Sequence, residues 1–165
     1  MLATASPAQA AAAQPTASAD AKHCVIVAAP LEPGQTISRV LSHVCADTPA
    51  RAQRLSETAN PRLASTLLLV LYENIRYNTD SAGASTQLRG SAGPCDTSGY
   101  GFGNLGTWRN RISSFKRFNW CQRVAGYDYI NYGGNNGNPI GVWTKDTDWV
   151  GSANDRIESI LTRRL

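Results

Sequence analysis

The sequence predicts an all-β protein: a sandwich of short strands joined by Greek-key connections, preceded by a short arm closed by a disulfide. Three observations predict it. After residue 65, short β-prone runs recur between Gly, Asn, Asp and Ser punctuation, with no long amphipathic helix among them. A segment is written twice: Leu105-Gly106-Thr107-Trp108-Arg109-Asn110-Arg111-Ile112-Ser113-Ser114 is answered 45 positions on by Val150-Gly151-Ser152-Ala153-Asn154-Asp155-Arg156-Ile157-Glu158-Ser159. A motif repeated at fixed offset means two copies of one supersecondary unit, and copies this short read as two Greek keys within one domain. Finally, four cysteines, Cys24, Cys45, Cys95 and Cys121, are widely spaced with no CxxC pair, which reads as two disulfides and an oxidising, extracellular compartment.

The elements follow in order. Residues 1–22 are mostly Ala with Ser, Thr, Gln and Pro; with nothing to bury they read as a disordered leader or the remnant of a secretory signal. Residues 23–64 form the arm and a linker. Cys24–Ala28 is a buried strand ended by Pro30 and Pro33-Gly34. Ile37, Val40, Leu41 and Val44 share one face of a short helix with Thr36 as N-cap, although their β-branching keeps a second strand open. Residues 46–64 read as a linker with room for a helical turn. The main domain spans 65–165, with strands at Thr66–Tyr72, Ser85–Leu88, Arg111–Phe118, Arg123–Tyr129, Pro139–Trp143 and Arg156–Leu161. Sequence order suggests Cys24–Cys45 and Cys95–Cys121, closing loops of about 22 and 27 residues worth roughly 2–4 kcal/mol each; two other pairings stay open.

Charge and hydropathy narrow the partners. The net charge of +4 favours mild attraction to anionic surfaces but lacks the basic blocks of nucleic-acid binders, so no nucleic acid is expected. No run of 18 apolar residues occurs, so no transmembrane segment is expected. A monomer is the simplest assembly.

An aromatic pattern precedes each repeated segment. Tyr127-Asp128-Tyr129-Ile130-Asn131-Tyr132-Gly133-Gly134 has aromatic, four residues, aromatic, one residue, glycine; Tyr72-Glu73-Asn74-Ile75-Arg76-Tyr77-Asn78-Thr79 repeats it with Thr79 at the glycine position. Two aromatics clasp a folded hairpin whose bend needs the glycine's backbone freedom. Coupled to the Asn-Asp-Arg-Ile-x-Ser element, the pattern resembles the βγ-crystallin double Greek key over about residues 66–165. The Ala-rich leader, the cysteine-bounded arm, the Gly-Pro-Cys-Asp loop and the Asn-Arg-Ile-Ser-Ser segment together look like the secreted bacterial βγ-crystallin-type peptidase inhibitor family. That resemblance implies inhibition of extracellular peptidases, notably metallopeptidases. The alternatives are a calcium-binding structural or stress module and a secreted antimicrobial toxin.

In calcium-binding βγ-crystallins, segments of this kind build two sites with crossed oxygen ligands. The resemblance implies one nearly complete site here, from Asp128, Asn154, Asp155 and Ser113, suited to one calcium ion. At the opposite site Arg109 and Glu158 stand where Asn or Asp and Ser or Thr are expected, so an ion pair is expected instead of metal. Arg156, like Arg111, sits at a variable position that can face the metal and weakens even the better site. The plain alternative is that both segments shape turns through side-chain to backbone bonds.

Other chemistry is thin. His23-Cys24 and His43-x-Cys45 read better as histidines beside a disulfide than as a zinc site. No nucleophile, metallopeptidase or phosphate-loop motif occurs, so no enzyme is expected. Trp108, Trp120, Trp143 and Trp149 are expected in core or clasp roles, and Arg109, Arg111, Lys116, Arg117 and Arg123 on a solvated basic face. An inhibitory loop must be exposed and stiff. The segment 89–100 meets that need, with Pro94 and a disulfide at Cys95 to stiffen it and Asp96 able to approach an enzyme's metal.

Overall fold

The computed structural model describes residues 22–165, so nearly all of the expected leader lies outside the described residues. Among the described residues nine strands form two sheets: β1 (His23–Ala28), β2 (Val40–Ala46), β3 (Thr66–Tyr72), β4 (Ser85–Gly90), β5 (Tyr100–Phe102), β6 (Ser114–Arg117), β7 (Arg123–Tyr127), β8 (Gly141–Trp143) and β9 (Ser159–Arg163). The first sheet runs β2-β1-β4-β3-β6 and the second β5-β9-β7-β8.

Each Greek key lends its third strand to the other sheet. In the first key β3, β4 and β6 stay together while β5 crosses to pair with β9, matching Phe102 with Ile160. In the second, Thr147 crosses to bridge Phe115 on β6, with mutual backbone bonds of 2.9 and 3.0 Å. Adding the 45-residue offset to Phe102 and Phe115 gives Thr147 and Ile160, so the two exchanges are one contact repeated. Between the sheets lies one core, in which Leu68, Leu71, Leu88, Phe102, Trp108, Ile112, Phe115, Ile157 and Ile160 are almost wholly buried. The fold is all-β, with one short α-helix among the described residues.

The arm differs from its expected form. Val40–Ala46 is a strand rather than a helix, making an antiparallel hairpin with β1 in which Cys24 faces Cys45 and the two are bonded. The i, i+3, i+4 spacing loses because β1 offers a ladder of backbone groups to satisfy, and the β-branched residues suit that ladder. Nor is 46–64 a mere linker, since Pro49–Ala59 forms helix α1, capped by Thr48 Oγ1 accepting from Arg51 N at 3.2 Å. The helix has a purpose in packing. Cys24, Ile26 and Ala28 enter the main core, whereas Val25 and Val27 on the other face of β1 bury against Ala52 and Leu55 of α1.

The arm is also continuous with both sheets. β1 pairs in parallel with β4, covering what would be an exposed edge. Ser38 covers the edge of β5 in the second sheet: its N–H donates to Gly101 O at 2.8 Å and its Oγ accepts from Gly101 N at 3.0 Å.

Candidate functional site

Two structures were singled out by sequence: the crossed pair of repeated segments and the loop around Cys95. At the first, the clasps form. The rings of Tyr72 and Tyr77 lie 5.8 Å apart and those of Tyr127 and Tyr132 4.8 Å apart. Each clasp is pinned by the last serine of a repeated segment. Ser114 Oγ donates to Asn74 O at 2.6 Å and accepts from Tyr77 N at 3.0 Å; Ser159 Oγ donates to Tyr129 O at 2.7 Å and accepts from Tyr132 N at 3.1 Å.

The glycine position behaves differently in the two copies. Gly134 has φ +73° and a Cβ there would run into the Tyr129 ring, whereas Thr79 is right-handed at φ −72°. Both copies start the bend left-handed, at Arg76 and Tyr77 (φ 52° and 59°) and at Asn131 and Tyr132 (φ 54° and 60°), and the first copy takes its third left-handed residue at Asn78 (φ 60°), one position before Thr79. Asn78 tolerates this because its side chain closes the loop locally, accepting from Asn74 N and donating to Ala84 O.

The segments themselves cross. Asn110 N donates to Ile157 O at 3.0 Å and Asp155 N to Ile112 O at 3.3 Å, each across to the other copy. Asn110 and Asp155 are both left-handed, at φ 58° and 52°. The acid after each first clasp tyrosine is met by an arginine of the following segment: Arg111 Nη2 lies 2.6 Å from Glu73 Oε1, and Arg156 Nη2 lies 2.7 Å from Asp128 Oδ2. Arg109 Nη1 lies 3.6 Å from Glu158 Oε2, whose other oxygen accepts from Asn110 at 3.0 Å. The Glu73 carboxyl is held below the usual range by the Ala84 N–H first and by Arg111 next.

Calcium takes six to eight oxygens, and most of the expected donor residues already have partners. Both oxygens of Asp128 face Arg156, the Ser113 hydroxyl donates to Glu73 O at 2.6 Å, and Asp155 Oδ2 accepts from the Asn154 amide at 2.7 Å. Asn154 Oδ1 is buried without a partner. With the Arg156 guanidinium on both oxygens of Asp128, the donor set as arranged does not fit calcium.

The second structure is the connection from β4 to β5. Cys95 is buried and bonded to Cys121, and Cys95 N donates to Asn119 O at 2.9 Å, joining this loop to the turn at 118–122. The Tyr100 hydroxyl donates to Gly93 O at 3.0 Å. Asp96 Oδ1 accepts from Gly99 N at 2.7 Å, and Asp96 O accepts from Arg164 N at 2.7 Å. Pro94, Asp96, Thr97 and Ser98 remain exposed on this fastened loop. Beside them Trp120 is 59% exposed, with the Arg164 guanidinium 5.0 Å over its ring.

The tryptophans therefore divide. Trp108 is buried and Trp143 packs edge-on against Phe115 at 5.4 Å, but Trp120 and Trp149, 62% exposed, have neither a core nor a clasp role. The basic run is not one solvated face either: Arg109, Arg111 and Arg117 have carboxylate partners, and Lys116 lies 4.6 Å over the Tyr77 ring. His23 Nδ1 accepts from Ser85 N at 3.1 Å, and His43 Nε2 lies 3.6 Å from Cys45 Sγ, whose sulfur is already bonded to Cys24.

Exchanged third strands, paired tyrosine clasps and crossed segments define a βγ-crystallin-like fold. Similar solved structures include a βγ-crystallin domain from Clostridium beijerinckii (23% identity, 58% of this chain and 97% of that one, TM-score 0.41). Others are the N-terminal domain of protein S (16%, 59% and 97%, TM-score 0.43) and a βγ-crystallin from an archaeon (21%, 59% and 98%, TM-score 0.38). No protein-family model matches the chain, and no curated protein matches it. Among the described residues no helix is long and apolar enough to cross a membrane, and the disulfides are compatible with an extracellular location.

Proposed function

We propose that the protein is a secreted, metal-independent βγ-crystallin-type binding module that inhibits an extracellular peptidase through the loop at 91–99. The observation that carries this reading is the fastening of that loop. A disulfide, the Tyr100 hydroxyl and the backbone bonds of Cys95 and Asp96 hold it, while its tip stays in solvent. A loop already ordered loses little conformational entropy on binding, which is the physical requirement for an inhibitor. Trp120 supports it as an aromatic anchor at the same end, of the kind that dominates protein interfaces. Asp96 suits a metallopeptidase target: Gly99 fixes one carboxylate oxygen and the exposed residue leaves the other free to approach a metal.

The test is inhibition of a thermolysin-type metallopeptidase by micromolar folded protein, with calcium and with a chelator. Equal inhibition in both buffers, lost in Asp96→Asn and weakened in Trp120→Ala, supports the reading. Absence of inhibition by the folded wild type removes it.

A further inference from the structure

Five arginines of the described chain are partly buried: Arg89, Arg111, Arg117, Arg123 and Arg163. Three have partners that account for their burial. Arg89 donates to Ser65 and Gln87, Arg111 meets Glu73, and Arg117 donates to Gln122 O near Asp146. Arg123 and Arg163 have no side-chain hydrogen bond or ion pair among the described residues. Yet they are direct cross-strand neighbours, Arg123 on β7 facing Arg163 on β9.

Directly opposed side chains on antiparallel strands start only about 5 Å apart at Cβ, and like charges there are destabilising. Nothing in the fold demands this pairing, since both side chains lie on the outer face of the second sheet. Strand alternation sends Val124 and Ile160 into the core, and Arg123, Ala125 and Tyr127 with Leu161 and Arg163 outward. These five outward residues line a hollow of about 140 Å³. Ala125 and Leu161 make its floor and Tyr127 closes the far end, so the guanidiniums flank a shallow recess rather than flat surface.

We propose that Arg123 and Arg163 form an oxyanion clamp, taking one phosphate- or sulfate-type group, free or carried on a polymer. The guanidinium fork matches such oxygens in bidentate geometry, and one anion between two cations converts their repulsion into attraction. A hollow of about 140 Å³ is several times the roughly 10–15 Å³ that admits one water, so it has room for a tetrahedral oxyanion. The exposed arginines Arg39, Arg54 and Arg62 lie outside this recess.

The experiment is thermal melting of the whole protein at fixed ionic strength, with chloride replaced stepwise by inorganic phosphate. The proteins are wild type, Arg123→Gln, Arg163→Gln and, as control, Arg54→Gln on α1. A ligand held only by the folded state raises the midpoint saturably. The wild type and the control should show that rise, with apparent affinity at least tenfold weaker in the two clamp variants. In chloride alone the clamp variants should melt at or above the wild type, because a repulsion is gone. An equal phosphate response in all four proteins overturns the clamp, as does a lower midpoint of the clamp variants in chloride, which would mark the pair as structural. A heparin titration separates the sources. Binding that needs both arginines and saturates below the phosphate concentration assigns a polymer-borne group, while no gain over phosphate assigns the free anion. Heparin binding that survives both substitutions, without a phosphate response, overturns the proposal.

Discussion

Arg156 faces both oxygens of Asp128, its Nη2 2.7 Å from Oδ2 and its Nε 3.2 Å from Oδ1. Arg111 meets Glu73 in the matching position of the other copy, at 2.6 Å. Both carboxylates that follow a first clasp tyrosine are thus neutralised by an arginine from the next repeated segment, and a divalent cation would have to displace it. The pair at Asp128 is surface-exposed and of small value to stability. Its effect is on what else can bind.

The first prediction follows from that occupancy. The melting midpoint of the wild type should not move between millimolar calcium and chelator. Arg156→Ser, which frees both oxygens of Asp128 and leaves Asn154 Oδ1 unpartnered, should acquire a weak calcium response in the range of about 10⁻⁴–10⁻³ M known for extracellular modules. Differential scanning calorimetry in the two buffers checks both. A calcium-dependent midpoint in the wild type would show that arginine does not exclude the metal.

The serines at Ser114 and Ser159 make a second, independent prediction about the repeat. Each hydroxyl is buried and both donates and accepts within its own clasp. Replacing either by alanine leaves a backbone N–H and a C=O without partners, so each substitution should cost about 1–3 kcal/mol in urea unfolding. The costs should be similar in the two copies. A loss at one serine and none at the other would mean that only one clasp is supported this way.

Much of this was legible in the sequence because the repeat acts through local rules. Tyr72, Tyr77, Tyr127 and Tyr132 announced the clasps by spacing, and the 45-residue offset announced the paired keys. What escaped was decided by tertiary context or written too briefly. Val40, Leu41 and Val44 carry helical spacing, but pairing with β1 overrode it. β5 is three residues in a glycine-rich stretch, formed because β9 and Ser38 satisfy it on either side. Helix α1 did have a signal in Thr48-Pro49, an N-cap followed by proline at the first helical position. At the candidate site, Arg109 opposite Glu158 could be aligned from the crossed motif. Glu73 with Arg111 could have been found by the same alignment, since Glu73 occupies the position of Asp128. The exposure of Trp120 and the facing of Arg123 by Arg163 depend on strand register and were not readable.

The disulfide at the loop gives a third prediction that separates stability from binding. Cys95→Ser with Cys121→Ser opens a closure of sequence separation 26, which should cost about 2–4 kcal/mol. Inhibition of the target peptidase should fall further than the folded fraction does, because the loop's order is lost as well. Trp120→Ala supplies the contrast, with inhibition weakened and the urea midpoint nearly unchanged, since the ring is mostly in solvent. A disulfide variant that inhibits in proportion to its folded fraction would deny the loop its role.

Acidification should destabilise the protein in two stages. His23, half-buried, has a pKa lowered from 6.5, chiefly by desolvation, and His43 is shifted the same way but is exposed and carries less of the effect. His23 Nδ1 accepts from Ser85 N, a bond that protonation at that nitrogen would remove. A group whose folded pKa lies below its unfolded value contributes stability above the unfolded value and loses it as pH falls through the folded one. The histidines therefore begin to withdraw stability below 6.5, where the unfolded chain takes up protons first. Glu73, lowered from 4.5 by the Ala84 N–H and Arg111, withdraws its share only below 4.5. The melting midpoint should be level well above pH 6.5, decline as the pH falls below it, and fall again below pH 4.5. His23→Gln should flatten the first decline, and Glu73→Gln the second. A wild-type midpoint that stays constant from well above pH 6.5 down to pH 4.5 would contradict the histidine assignment, whatever happens in stronger acid.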